Sequence, residues 1–368
     1  MRILRNYFLR EFLTPLLLTL GVLGFVMTLA GTVKDIANQV INRGVDIVSI
    51  IKLFLLMTPF MVTYALPIAL LVATLLSLGR LSGDNEIVAI RASGINTFRL
   101  IAPILTVALI ISLGLVIFNN QAASYAHFAY RKTLIDIGIK NPTAAFEEGV
   151  FINSFQKYVL FIYNVDHKRN RLNNVRIYEP QGDDKPTRTI IAKSGEFITD
   201  PEKHTIKLKL MDGTSDEPDP QNPTSFYKLN FKTYFMNLDL ASTKGKGKLN
   251  KKPKEMNIQE LRQEIAKIKK EGINPAPLST KIVEKSVLAF SALVFVLMGI
   301  PLAIITRRRE RSINLGLALL IIGAYYPILI GCEALGMEGR LPPHIAMWLP
   351  NIIFGSIGAF LTYRLCES

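Results

Sequence analysis

Six unbroken apolar blocks, at residues 12–33, 53–79, 100–118, 286–306, 312–332 and 341–363, stand three and three around a long polar interior. Each can cross the ~30 Å hydrocarbon core of a bilayer, which takes about 20 helical residues. None contains Asp, Glu, Lys or Arg, any of which would cost about 2.5 to 3.5 kcal/mol at a span centre. The pattern predicts six transmembrane helices. Pro59 and Pro67 in the second block predict a kink or tilt there. The first block follows Arg2, Arg5 and Arg10, as in a signal peptide, but it is too long for one and no A-x-A-like site follows, so it is read as an uncleaved span.

Between the third and fourth blocks the period changes from membrane to strand. Residues 150–155, 158–165, 174–178, 188–192, 205–210 and 225–231 are short runs rich in β-branched and aromatic side chains. Clusters of Gly, Pro, Asn and Asp, such as 181–186 and 212–223, separate them. Regular spacing points to an antiparallel sandwich or jelly roll. His204, Ile206, Leu208 and Leu210 alternate with Thr205, Lys207 and Lys209, the mark of a half-buried strand. Lys244, Lys246, Lys248, Lys251, Lys252 and Lys254 follow, with Gly245 and Gly247; such a run is either a solvated tether or a contact for anionic lipid. Ile258, Leu261, Ile265 and Ile268 then predict a short amphipathic helix, ended by Gly272 and Pro275.

The fold class that follows is a polytopic α-helical membrane protein, six transmembrane helices as 3+3, with an inserted periplasmic antiparallel β domain expected as a jelly roll. Its parts are helices one to three in 1–118, the β domain and tether in 119–256, a connecting helix in 257–275, and helices four to six in 279–368.

Composition agrees, with 49% hydrophobic residues and a mean hydropathy of +0.29. The charge of +14, from 43 basic and 29 acidic side chains, lies between the apolar blocks, which excludes a disordered chain. Arg2, Arg5 and Arg10, then Arg80, Arg91 and Arg99, then Arg307, Arg308, Arg309 and Arg311, and finally Arg364 all fall on one side if six spans alternate. By the positive-inside bias that side is the cytoplasm, with both termini. The excess charge is thus a topology signal plus a lysine tether, and no nucleic-acid partner is needed to explain it.

Several chemistries drop out. There is no G-x-x-x-x-G-K-[ST] phosphate loop, and His127, His167, His204 and His344 have no metal-ligand spacing. No catalytic motif is present, so a catalytic site and a metal are not expected. Cys332 and Cys366 belong to opposite faces and cannot pair, and Cys366 stands one residue short of a prenylation box. Spans without charges argue against an ion-coupled carrier. Any transport would then draw its energy from elsewhere, and the receiver would be the cytoplasmic loop 78–94, L-G-R-L-S-G-D-N-E-I-V-A-I-R-A-S-G. There Ser82 or Asp84 can cap a short helix, Ile87, Ala89 and Ile90 give it an apolar side, and Gly94 can end it.

The stretch N-E-I-V-A-I-R-A-S-G at 85–94, preceded by A-L-P-I-A-L-L-V-A-T-L-L-S-L-G, resembles the lipopolysaccharide-export permease family, the F and G subunits (YjgP/YjgQ). K-P-K-E-M at 252–256 and M-G-I-P-L at 298–302 belong to the same resemblance, which covers the whole chain. It implies a permease of an ABC-type exporter in the bacterial inner membrane, with the β-jelly-roll in the periplasm. The implied partners are a second permease of the same family, a cytoplasmic ATPase dimer that binds the ATP and Mg, periplasmic jelly-roll bridge proteins, and lipopolysaccharide. No cofactor is expected in this chain.

On the same resemblance Glu86 matches the family's coupling-helix glutamate, with Asp84 and Arg91 beside it. Lys34 and Lys285 match basic positions at the outer ends of spans one and four, where lipid phosphates pass. Some members carry a Lys early in span two where this chain has Phe60, a place Lys52 could supply from nearby. Span one should carry the lateral gate, where Gly21, Gly24 and Gly31 would let helices approach closely. Plainer readings stand beside these: a solvated helix carboxylate for Glu86, a topology signal for Arg91 and a snorkelling side chain for Lys34. Two other functions remain: a lipoprotein-release permease, which usually has four spans and its large domain after the first, and a membrane anchor displaying a β domain.

Overall fold

The computed structural model describes residues 2–43, 47–140, 149, 151–155, 158–166, 171–180, 187–200, 205–218, 226–238, 249–306 and 311–367. Arg307 to Arg309, Lys244, Lys246, Lys248, His167, His204, and the side chains of Lys34 and Arg311 lie outside the described residues. Two compact units emerge: residues 1–31, 54–128 and 252–368 form the first, and 32–53 with 129–251 form the second.

Every apolar block lies in a helix long and apolar enough to cross a membrane, six in all among the described residues. They are α1 (Arg2–Arg43), α2 (Ile47–Gly83), α4 (Thr97–Phe118) continuing into α5 (Ser124–Lys140), α7 (Ala276–Thr306), α8 (Arg311–Glu338) and α9 (Pro343–Glu367). The short α3 (Glu86–Ala92) sits between α2 and α4, and α6 (Ile258–Lys270) precedes α7. α6 opens on a reciprocal cap between Asn257 and Glu260 and ends before Gly272, whose φ is +73°.

α7 is the central helix of the first unit, with Val287, Phe295, Val296 and Ile300 fully or almost fully buried. Pro301 has no N–H to offer the carbonyl of Leu297, and the Thr362 hydroxyl of α9 donates to that carbonyl at 3.3 Å. Gly358 makes this possible. A Cβ there would stand 2.9 Å from the backbone of Leu297 and Met298, so α9 can lie against α7 only with glycine at the crossing. Tyr325 of α8 donates to Asn351 Oδ1 at 2.7 Å, and Asn351 Nδ2 donates to the Val287 carbonyl at 2.9 Å, so these buried polar groups satisfy one another across three helices.

The third span does not end at 118. Asn119–Ala123 forms a π-helical turn that carries the chain straight into α5, so residues 119–140 are helix where the β domain was expected to begin. The polar side chains that suggest a loop have partners: Thr63 donates to Asn119 Oδ1 at 2.8 Å, Asn119 Nδ2 donates to the Lys285 carbonyl at 3.2 Å, and Asn120 Oδ1 accepts from the Ile258 amide at 2.7 Å.

The second unit holds one six-stranded antiparallel sheet: β1 (Phe151–Phe155), β2 (Tyr158–Asp166), β3 (Arg171–Glu179), β4 (Arg188–Asp200), β5 (Thr205–Pro218) and β6 (Phe226–Leu238). Sheet order equals chain order, so among the described strands there is a meander and no Greek-key crossover. Pairing is interrupted along one line through Tyr163, Asn174, Lys193, Asp212 and Lys232, with the register unchanged on either side. Across that line the buried positions change parity: Leu160 and Ile162 give way to Val165, Ile190 and Ala192 to Phe197, and Leu208 and Leu210 to Ser215. Asn174 and Asp212 sit on the line with φ of 53° and 52°. The left-handed backbone there turns the strand over, so both halves of the sheet feed one core. Residues 212–218, expected as a turn, are therefore the second half of β5.

Candidate functional site

The loop motif folds as α3, and its cap differs from the expectation. Asn85, at φ 60°, is the N-cap residue and makes no side-chain cap bond. Ser82 instead donates to the Ile304 carbonyl of α7 at 2.9 Å, which ties the end of α2 to the end of α7. Gly94 ends the element as expected, with φ +76° and its amide on the Arg91 carbonyl. Ile87 is buried to 1% exposure in the helical core, while Val88 and Ala89 face outward. This seven-residue helix thus has a plug on one side and a small apolar face on the other.

Glu86 does not stand alone on this helix. Tyr7 Oη, from the start of α1, donates to its carboxylate, 2.9 Å from Oε2 and 3.2 Å from Oε1. Arg80 Nη2 donates to the same Tyr7 oxygen at 3.1 Å and meets Glu11 Oε2 at 3.0 Å, with Glu86 Oε1 4.0 Å away. Two carboxylates, one guanidinium and one phenol therefore join three elements. Arg91 points elsewhere and donates to the Leu365 carbonyl of α9 at 3.1 Å. Asp84 is exposed and lines a cavity of about 520 Å³ between α1, α2 and α8, with Arg10, Glu11, Arg80 and Asn314 among its other walls.

At the opposite ends of the spans, Lys285 points its ammonium between the helices, donating to Ser124 Oγ and, at 3.4 Å, to the Asn119 carbonyl. Lys281, one turn earlier, is 9% exposed and pairs with both Glu284, at 2.6 Å, and Glu333 of α8. His127 Nδ1 lies 3.6 Å from the buried Glu255 of the K-P-K-E-M segment, and its ring packs on Phe60 at 4.5 Å. Lys52, on the opening turns of α2, is exposed, and Lys34 is on α1 with its side chain outside the described residues. Of the six expected residues, the structure places Glu86 and Arg91 on α3 and Asp84 just before it, with Arg91 turned away from Glu86 to α9, and gives Lys285 internal partners. Sequence reasoning missed Tyr7, Glu11 and Arg80 as companions of Glu86, because nothing in spacing links positions 7 and 86. The ladder Lys281, Glu284, Lys285 does have a readable signal, since i, i+3 and i, i+4 neighbours share a helix face.

Among the described residues no group of three or more His, Cys, Asp or Glu could hold a metal. Residues 6–364 match the family described as lipopolysaccharide export system permease LptF/LptG. The lipopolysaccharide export system permease protein LptF of Escherichia coli (strain K12) is 22% identical over 360 residues, covering 98% of this chain and 94% of that protein, and the LptF of Shigella flexneri matches equally. An uncharacterized protein, RP871, of Rickettsia prowazekii (strain Madrid E) is 24% identical over 197 residues, and the match spans about half of each chain, 53%. Six membrane helices split three and three by a β domain, with a seven-residue helix after the second, accord with a family match over nearly the full length, and the chain belongs to the LptF/LptG family of lipopolysaccharide export permeases.

Proposed function

We propose that this chain works as one of two permeases of an ABC-type exporter, driven by a separate cytoplasmic ATPase dimer that docks on α3. The observation that carries this is α3 itself: a seven-residue helix plugged by Ile87, with Glu86 a third exposed and Val88 and Ala89 facing out. A carboxylate has two oxygens and about four acceptor sites, so Glu86 can keep its Tyr7 bond and still accept from a basic group of the ATPase. The arginine-rich ends of the spans, α3 among them, face the cytoplasm. Lipopolysaccharide enters between the two permeases from the outer leaflet and passes through the β domains to a periplasmic bridge. Lys34 and Lys52 of the second unit and Lys285 of the first are the cations proposed to meet its phosphates, and Lys285 would do so by exchanging its bonds to Ser124 and Asn119.

The insert after the third span supports this reading over a lipoprotein-release permease. Glu86→Arg places a cation against Arg80 and against the ATPase, and is expected to abolish ATPase co-purification in mild detergent and lipopolysaccharide delivery to the cell surface. Retention of both would overturn the docking role. Depletion of the chain is expected to leave lipopolysaccharide in the inner membrane, and normal surface delivery would remove the export reading.

A further inference from the structure

We propose that Tyr7 is a positioning residue that fastens the first span to the docking helix, so that α1 and α3 move as one body when the ATPase closes. The inference rests on the ATPase-driven reading above and adds to it the route by which motion reaches α1.

Within the first unit α1 is sparsely held. Phe8, Phe12 and Leu16 make one buried stripe, while Leu17, Leu18, Val22, Phe25 and Val26 are exposed and a Cβ at Gly21 or Gly24 would meet nothing within 4 Å. Polar ties from α1 to the corner of α2 and α3 lie at its start. The Tyr7 hydroxyl has one hydrogen to give and gives it to Glu86, and its oxygen accepts from Arg80, which also holds Glu11. Such a group is fixed from both sides, and a hydrogen bond to an ionised carboxylate is among the stronger kinds. The other fastenings of α3 lead elsewhere, Ile87 into the core and Arg91 to α9. Glu86 is therefore the junction at which a push on α3 becomes a push on α1.

Tyr7→Phe removes only the hydroxyl, leaving a ring that can keep its edge contact with Phe8, now 5.8 Å between centroids. In the assembled complex in proteoliposomes, the variant is expected to retain the ATPase and to hydrolyse ATP within about twofold of the parent, while lipopolysaccharide released per ATP falls about tenfold. Tyr7→Phe added to Glu86→Ala should lower that ratio no further, because the bond is already gone. An unchanged ratio, or a parallel fall of hydrolysis and export with a lower melting temperature, would overturn the positioning role alone. Failure of the parent chain to hold any ATPase would overturn the export reading and this proposal together.

Discussion

Lys281 shows how a charge survives at the edge of a hydrocarbon layer. Its ammonium is almost enclosed, and two carboxylates from two helices, Glu284 and Glu333, complete it. Burying such a group costs several kcal/mol, recovered only while every partner is present. Lys281→Met should therefore destabilise the purified chain by ~3 kcal/mol, because it leaves two carboxylates facing each other without a cation. Adding Glu284→Gln and Glu333→Gln to that variant should recover most of the loss, as an uncharged cluster has no ion left unpaired. Thermal melts of the three proteins in one detergent check both signs. An unchanged melting temperature for the single variant would show that solvent, and not the ion pairs, satisfies these groups. Lys285 differs in having hydroxyl and carbonyl partners, and this is the chemistry from which an ammonium is more easily drawn away by a phosphate.

The sheet shows at the scale of elements why some features are legible and others are not. All six strands were visible in the sequence where alternation starts, yet β4, β5 and β6 run several residues further than the alternation suggests. The reason is the line through Asn174, Lys193, Asp212 and Lys232, where burial changes parity and a period of two reads as an interruption. Asp212 and Gly213 look like a turn, but both lie within β5, and Gly213 is needed there because a Cβ would meet the Ile191 carbonyl oxygen and the Phe231 ring, the latter at 2.5 Å. Likewise the β domain was expected to begin at Asn119, and residues 119–123 are a π-turn, since the partners of Asn119 and Asn120 come from α2, α6 and α7, far away in the chain. At the corner around Glu86 the helix and its stop at Gly94 were readable from local chemistry, whereas its tie to Tyr7 was not. The parity change makes a test of its own. Asn174→Gly, which accepts φ 53° without a Cβ, should leave the second unit within ~0.5 kcal/mol of the parent, and Asn174→Val should cost ~1–2 kcal/mol. Protease resistance of the β domain in the membrane-bound chain, scored against urea, separates the two; equal resistance would mean that the left-handed backbone is not what turns the strand.

Across the whole molecule the two cores share no residue, and charge divides the helical ends more sharply than the sequence implies. Arg5, Arg10, Arg80, Arg91, Arg99 and Arg364 gather at the end that carries α3, where Glu11, Asp84, Glu86 and Glu367 offset only part of them. At the other end Lys281 is matched by two carboxylates, so the net basic excess there is smaller than a count of lysines suggests. By the positive-inside bias the α3 end is proposed to lie in the cytoplasm, and six spans would return the C-terminus to the same side. The free cysteines make this measurable. Cys332 is buried, whereas Cys366 is partly accessible near the end of α9, and Tyr227 of β6 is 70% exposed. In spheroplasts carrying Tyr227→Cys, a membrane-impermeant maleimide should label position 227 directly and Cys366 only after lysis. Labelling of Cys366 before lysis would invert the topology, and with it would go the access of a cytoplasmic ATPase to Glu86, since a helix held to Leu365 through Arg91 lies on whichever side Cys366 does.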